Sequence, residues 1–302
     1  MTGVLCGKRK EKRLARALAR RMTEGEGNEL LVFSLQGLDL TRRAARGTLV
    51  TASGVRPALC PLPAVIANLS AQRAAGGRRL LRALRELPGV TLLNPANIFD
   101  QRAVRAMLRS CPKLKRCLPE AAPGGETRGG LLLRPVRGES LRRVLYLRRP
   151  ASGGMPQTDG RERLRVPPLL AGENGILILR TYLCKGAGDR WHVCLRTAEG
   201  PAGEEKTGKS LPAARGIPLA AARCISRYLP DLAFCTVDLV FGEDGGPYFL
   251  GLGGWQGLAA CGRPRRRLIA ALRRVLAGYE TPARPMCGPG RRKTGRQASE
   301  SE

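Results

Sequence analysis

The sequence predicts an α/β unit followed by an α+β body built on antiparallel hairpins, and three observations carry that expectation. First, a short apolar run at Val4–Cys6 precedes an amphipathic stretch from Lys8 to Met22, with Leu14, Leu18 and Met22 at i, i+4 and i+8. An apolar run from Glu29 to Leu35 follows. This is a strand, a helix and a strand joined by a right-handed crossover. Second, Thr236–Phe241 and Pro247–Leu252 are apolar runs on either side of Gly-Glu-Asp-Gly-Gly (Gly242 to Gly246), a hairpin signal. Third, Ile176–Cys184 and Trp191–Thr197 flank Gly186-Ala-Gly-Asp189 and give a second hairpin.

The remaining elements follow in order. Leu49 to Cys60 is extended around Ser53-Gly54, and Pro61-Leu-Pro63 leads into a buried strand at Ala64–Ala67. A helix from about Gln72 to Leu87 carries Leu80, Leu81, Leu84 and Leu87 as its apolar positions with arginines between, and stops at Pro88-Gly89. Val90–Leu93 is the next strand. Asp100 is placed to cap a helix through Arg109, and Pro112 and Pro119 bracket a short helical turn before a loop from Ala121 to Gly130. Gly130–Gly138 and Val144–Leu147 are an outgoing and a returning strand. Pro150 to Asn174, broken by Pro and Gly, is expected as loop, and Ala198 to Leu211 is polar. Pro218 sits in the first turn of a helix that ends at Leu229-Pro230. A last helix, Pro264 to Ala277, carries Leu268, Leu272, Val275 and Leu276 on its buried stripe. Thr281 to Glu302, rich in Pro, Gly, Arg and Ser, is expected to be a disordered basic tail.

Composition bounds the function. The 302 residues carry 53 Lys and Arg against 24 Asp and Glu, a formal charge of +29. Such a field attracts polyanions. Three readings compete: a nucleic-acid partner, another anionic polymer, or an arginine surplus without a partner. Five Phe, five Tyr and two Trp argue against a base-stacking platform. None of the ten cysteines falls in a C-x-x-C spacing and His192 is the sole histidine, so a zinc site is not expected. No apolar leader core follows Met1 and no run approaches about 18 apolar residues. The expectation is a soluble cytoplasmic protein with free thiols. His192, beside Trp191 in a strand, is assigned a structural role.

Asp238 stands alone inside the apolar run of the opening hairpin strand, where an unpaired carboxylate is costly. It is expected to be hydrogen-bonded, ion-paired or facing a cation, and a satisfied edge-strand aspartate is an equal alternative.

Four stretches, taken together and in order, resemble the YheC/YheD family of endospore coat-associated proteins in the ATP-grasp superfamily. They are Pro61-Leu-Pro-Ala-Val-Ile-Ala-Asn-Leu69, Asn97-Ile-Phe-Asp-Gln-Arg-Ala-Val104 running on to Leu118-Pro-Glu120, Leu131-Leu-Leu-Arg-Pro-Val-Arg-Gly138, and the hairpin holding Asp238. The resemblance implies a pre-ATP-grasp α/β domain over residues 1–96, then an ATP-grasp domain with antiparallel sheets over 97–280 and the tail at 281–302. It implies ATP and Mg²⁺ as ligands and ligation of a carboxylate, through an acyl phosphate, to an amine or another nucleophile. Spore coat components would be partners, and a spore-associated location would follow.

Several family positions are changed. A strand-end lysine that reaches the nucleotide phosphates is replaced by Arg134, a planar fork in place of a point charge. Gly138, Ser140 and Arg142 fall in the glycine-rich phosphate loop, where Leu141 and Arg143 occupy later glycine places. Arg180, the basic residue of an acid/base pair, is kept, and Ile178 stands where the acid is. Asp238 matches the first Mg²⁺ ligand. Gly251 and Gly253 stand where the resemblance implies a glutamate and an asparagine. One carboxylate is a poor cage for an ion that demands octahedral oxygen ligands. The expectation is therefore a degenerate member that acts by binding. An active ligase with a shifted metal site and a basic polyanion-binding module are the alternatives.

Overall fold

The computed structural model describes residues 1–22, 29–72, 74–122, 130–137, 144–148, 160–172, 175–186, 189–199, 205–206, 214, 216–255, 258 and 265–280. The chain opens with β1 (Thr2–Leu5), a 3-10 turn, α1 (Glu11–Ala19), β2 (Leu30–Asp39), β3 (Ala44–Thr51), β4 (Gly54–Pro61), β5 (Val65–Asn68), α2 (Ala75–Glu86) and β6 (Thr91–Leu93). These strands form one sheet in the order β4-β3-β2-β1-β5-β6. β1 pairs parallel with β2 and β5, and β5 with β6, so the expected crossover is present. The stretch expected as merely extended around Ser53-Gly54 is a hairpin, with β3 and β4 antiparallel and Gly54 at φ +134° in the turn, a backbone that a Cβ disfavours.

The rest of the chain adds α3 (Gln101–Arg109), α4 (Pro112–Lys115), β7 (Glu120–Ala121), β8 (Gly130–Pro135), β9 (Leu145–Leu147), β10 (Arg161–Val166), β11 (Ala171–Gly172), β12 (Gly175–Ile176), β13 (Ile178–Lys185), β14 (Trp191–Glu199), β15 (Glu205–Lys206), α5 (Ile217–Ser226), β16 (Phe234–Phe241), β17 (Pro247–Gly253) and α6 (Arg265–Glu280). Two antiparallel sheets result, β7-β10-β8-β9 and β15-β14-β13-β16-β17, beside the small β11–β12 pair. Both expected hairpins are in the larger sheet. Asp100 caps α3 as expected, its Oδ1 accepting from Arg102 N at 2.9 Å and Ala103 N at 3.2 Å.

The expectation of loop from Pro150 to Asn174 fails within the described residues, where β10 and the short β11 lie. Arg161–Val166, assigned to loop, is β10, the strand that pairs β8 along its whole length. Its alternation is regular, with Glu162, Leu164 and Val166 inward and the arginines between them outward or half-buried. The inward set begins with a charge, which hid the period.

The packing places a polar interval on one face of the larger sheet. Leu179, Leu183, Val237 and Leu239 point to the other face, against Val104 and Leu108 of α3 and Ala221 and Ile225 of α5. On the near face Tyr182, Cys184 and Phe234 join Trp255, α1 and α6 in a core that also takes in Val4, Val32 and Ala67 of the six-stranded sheet. Further along the same face, Ile178 and Val240 join Leu132, Leu164 and Val166 of the four-stranded sheet. By the two-residue period of a strand, Arg180 and Asp238 lie between these two apolar clusters. Among the described residues no helix is long and apolar enough to cross a membrane.

Candidate functional site

Arg180 and Asp238 occupy directly opposed positions of β13 and β16. Arg180 Nε donates to Asp238 Oδ1 at 2.7 Å and Nη2 to Oδ2 at 2.8 Å. The two side chains are 13% and 5% exposed, so this bidentate pair is shielded from water and salt. The sequence expectation that Asp238 is satisfied inside its strand is met by a guanidinium. The hairpin also brings Gly251 opposite Asp238 and Gly253 opposite Thr236.

A bulge sits at this point. Asp238 pairs with Gly251 and Leu239 with Phe249, leaving Leu250 as the extra residue of β17. The Leu250 carbonyl accepts from Arg134 Nη1. Arg134 thereby reaches from β8 to the larger sheet, and its other bonds lie inside the protein. Nε and Nη2 donate to Glu162 Oε2 at 3.0 and 2.8 Å, and Nη2 donates to the Gln101 carbonyl at 3.3 Å. Glu162 is the cross-strand neighbour of Arg134 on β10 and also takes an ion pair from Arg105 of α3. All three charged side chains are under 9% exposed. Burial pulls the Arg134 guanidinium down from its ordinary value, and the Glu162 carboxylate opposes that shift.

Gln101 completes the join. Its Nε2 donates to the Leu252 carbonyl at 2.8 Å and its Oε1 accepts from Leu252 N at 3.0 Å. A Cβ added at Gly251 would lie 3.2 Å from Gln101 Oε1 and 3.9 Å from Arg134 Nη1. Any side chain at 251 therefore enters the Gln101–Arg134 network. In the turn, Glu243 pairs with Arg148 at 2.6 Å and Asp244 Oδ1 accepts from Gly246 N at 2.9 Å, so both acids are engaged locally.

Gly138, Ser140 and Arg142 lie outside the described residues. Of the sequence-selected positions, Asp238, Arg180 and Gly251 meet in the larger sheet. Arg134 approaches them from β8 through Leu250.

A second polar cluster was not assigned from sequence. Asn68, Asn94 and Asn97, at the carboxyl ends of β5 and β6 and before α3, are all buried. Asn94 has φ +56° and its Oδ1 accepts from Ala233 N and Phe234 N, both at 2.8 Å. Its Nδ2 donates to the Phe234 carbonyl and to Asn97 Oδ1. Asn97 Nδ2 donates to the Asn68 carbonyl at 2.7 Å, and Asn68 Nδ2 to the Asn94 carbonyl at 2.8 Å. Carboxyl ends of parallel strands are where α/β sheets bind ligands. Here the amides are spent on fastening the six-stranded sheet to the first residue of β16. Asn68 and Asn97 fall in stretches that carry the family resemblance, the signal that could have flagged them. The adjoining cavity, about 130 Å³, is lined by Phe99, Tyr228, Leu229 and Leu232, with the Arg85–Asp231 ion pair (2.7 Å) contributing to its wall.

The Mg²⁺ implied by the resemblance does not fit these residues. Its one matching carboxylate already holds a guanidinium on both oxygens, and glycine occupies the second-strand positions. Among the described residues no group of three or more His, Cys, Asp or Glu could hold a metal ion.

No protein-family model and no curated protein matches the sequence. Solved structures match the fold. The D-alanine-D-alanine ligase of Coxiella burnetii superposes with a TM-score of 0.54 at 11% identity, over 92% of this chain and 95% of that one. VanG D-Ala:D-Ser ligase of Enterococcus faecalis gives 0.53 at 10% identity, over 92% and 94%. The ATP-grasp ligase PsnB, solved with a minimal precursor, gives 0.50 at 15% identity, over 90% and 97%. The chain has the ATP-grasp fold, with a mixed α/β sheet ahead of two antiparallel sheets.

Proposed function

We propose that this ATP-grasp-fold chain is a non-catalytic member that acts by binding, with ATP and Mg²⁺ use weakened or lost. The observation that carries the reading is the Arg180–Asp238 pair. A cation approaching Asp238 meets a fixed positive charge on both carboxylate oxygens. Mg²⁺ sheds water reluctantly and takes one or two carboxylates beside phosphate oxygens, so an arginine-bound carboxylate flanked by glycine is a weak ligand. On the resemblance to YheC/YheD proteins, the setting is the endospore coat. The test is the paired variant Gly251→Glu/Gly253→Asn. No gain in Mg-ATP affinity is expected, because Asp238 stays engaged; a gain of tenfold or more would mean that the ancestral site needs only its two ligands.

A specific observation favours a polyanion as the bound partner. α3, α4 and α5 pack together over the side of the larger sheet opposite Asp238, and their segments contain no acid. Arg102, Arg109, Lys113, Arg116, Arg223 and Arg227 are exposed on or beside them. Binding through this layer releases counterions, so affinity falls with salt by a slope of about 0.9 per anionic contact. Charge reversal at Arg109, Lys113 and Arg116 should lower that slope by about 2–3 for a heparin or duplex probe. Equal losses on reversing Lys12, Arg13 and Arg16 of α1 would assign the binding to net charge and overturn this reading.

A further inference from the structure

We propose that Cys184 and Cys194 form a dithiol site that closes reversibly to an intramolecular disulfide when the folded protein meets a thiol-reactive two-electron oxidant. The inference is independent of the nucleotide site and rests on the β13–β14 register. Leu183 pairs with Val193 and Tyr182 with Leu195, so Cys194 is the unpaired bulge residue of β14. A bulge re-aims its side chain, and here Cys194 Sγ lies 3.0 Å from Cys184 Sγ and donates to it. Two cysteines on neighbouring strands with sulfurs in direct contact need only a small side-chain rotation to bond.

The surroundings set the chemistry. Cys184 is 7% exposed, whereas Cys194 is partly open to solvent. The Cys194 thiol hydrogen bond pulls the Cys184 thiol below its ordinary value, with Arg274 of α6 assisting against the cost of burial. The Cys194 thiol is pushed up, first because it is the donor in that bond. Loss of the Cys194 thiol proton leaves a thiolate at the sulfur that an oxidant can reach, since Cys194 is the more open of the two. By contrast, burial pushes Cys6 up to about 12 and raises Cys117.

With a small disulfide RSSR as oxidant, the Cys194 thiolate attacks one sulfur and expels RS⁻, giving a mixed disulfide. Cys184 then loses its proton and attacks Cys194 Sγ, expelling the second RS⁻. Two protein S–H bonds and one RS–SR bond break, and one protein S–S bond and two RS–H bonds form. The two thiols are oxidised and RSSR is reduced to two RSH. The product is a covalent rung between β13 and β14 on the face where Tyr182, Cys184 and Leu195 pack with α6.

The test uses the folded full chain with oxidised glutathione, followed by acid quench, alkylation and peptide mass mapping. The expected product is a linked Cys184–Cys194 peptide and an intact mass lower by about 2 Da, both reversed by a reducing dithiol. Cys6 and Cys117 should remain unlinked. The Cys194→Ser variant should lose the linked peptide, while the wild-type map needs no variant to fold. Oxidation confined to Cys60 or Cys111 with both Cys184 and Cys194 still alkylatable would overturn the proposal. So would a glutathione adduct on Cys194 that never resolves.

Discussion

Arg180 grips Asp238 across directly opposed rungs of β13 and β16, Nε to Oδ1 at 2.7 Å and Nη2 to Oδ2 at 2.8 Å. This contact converts a candidate cation ligand into half of a buried ion pair. It also bridges the interval between the two apolar clusters on that face of the sheet.

Removing one partner strands the other. Arg180→Met should cost about 3–5 kcal/mol, because the Asp238 carboxylate is left buried without its cation. The double variant Arg180→Met/Asp238→Leu should recover most of that loss, since an apolar pair of similar volume is often neutral. Urea denaturation of the single and double variants measures both.

Arg134→Lys restores the residue type implied by the resemblance, and it provides a sharp discrimination. An ammonium cannot reproduce the fork that joins Glu162, Leu250 and Gln101. The variant should be about 2–3 kcal/mol less stable and should show no new affinity for Mg-ATP. Equilibrium unfolding and calorimetric titration report the two effects separately.

Asn94 carries both a backbone requirement and a side-chain one. Asn94→Ala should destabilise by about 2–5 kcal/mol, through two buried N–H groups left unpaired and a Cβ residue held at positive φ. Asn94→Gly keeps the first loss and removes the second, so its cost should be smaller by about 1 kcal/mol. Thermal melts of the two variants compare them.

Cys6 gives a pH-dependent prediction. Burial pushes the folded thiol up to about 12, whereas a free thiol titrates at 9.0. Its contribution to stability is complete below pH 9 and is lost as pH rises between those values, at up to about 1.4 kcal/mol per pH unit. Denaturation between pH 9 and 11 should show a shallower decline in Cys6→Ala than in the wild type.

Much of the framework was legible because its signals are local. Leu14 and Leu18 on α1, the Gly242–Gly246 turn and the Asp100 cap each declare themselves within a few residues. β10 escaped because its inward face begins with Glu162, whose partner Arg134 lies 28 residues away. At the site, Asp238 stood out as a lone acid and Arg180 through the resemblance. Their mutual bond did not, because it depends on a register between strands 58 residues apart. The role of Asn94 is less local still, since its Oδ1 caps backbone groups 139 and 140 residues away.

The most direct test of the central claim is the Mg²⁺-dependent change in melting temperature of the full chain at millimolar ATP, with an EDTA control. ATP is itself a polyanion, so stabilisation common to both arms reports charge alone. The expected result is no difference between Mg²⁺ and EDTA. A clear rise in melting temperature that requires Mg²⁺ would contradict the non-catalytic reading and restore the site as a working nucleotide clamp.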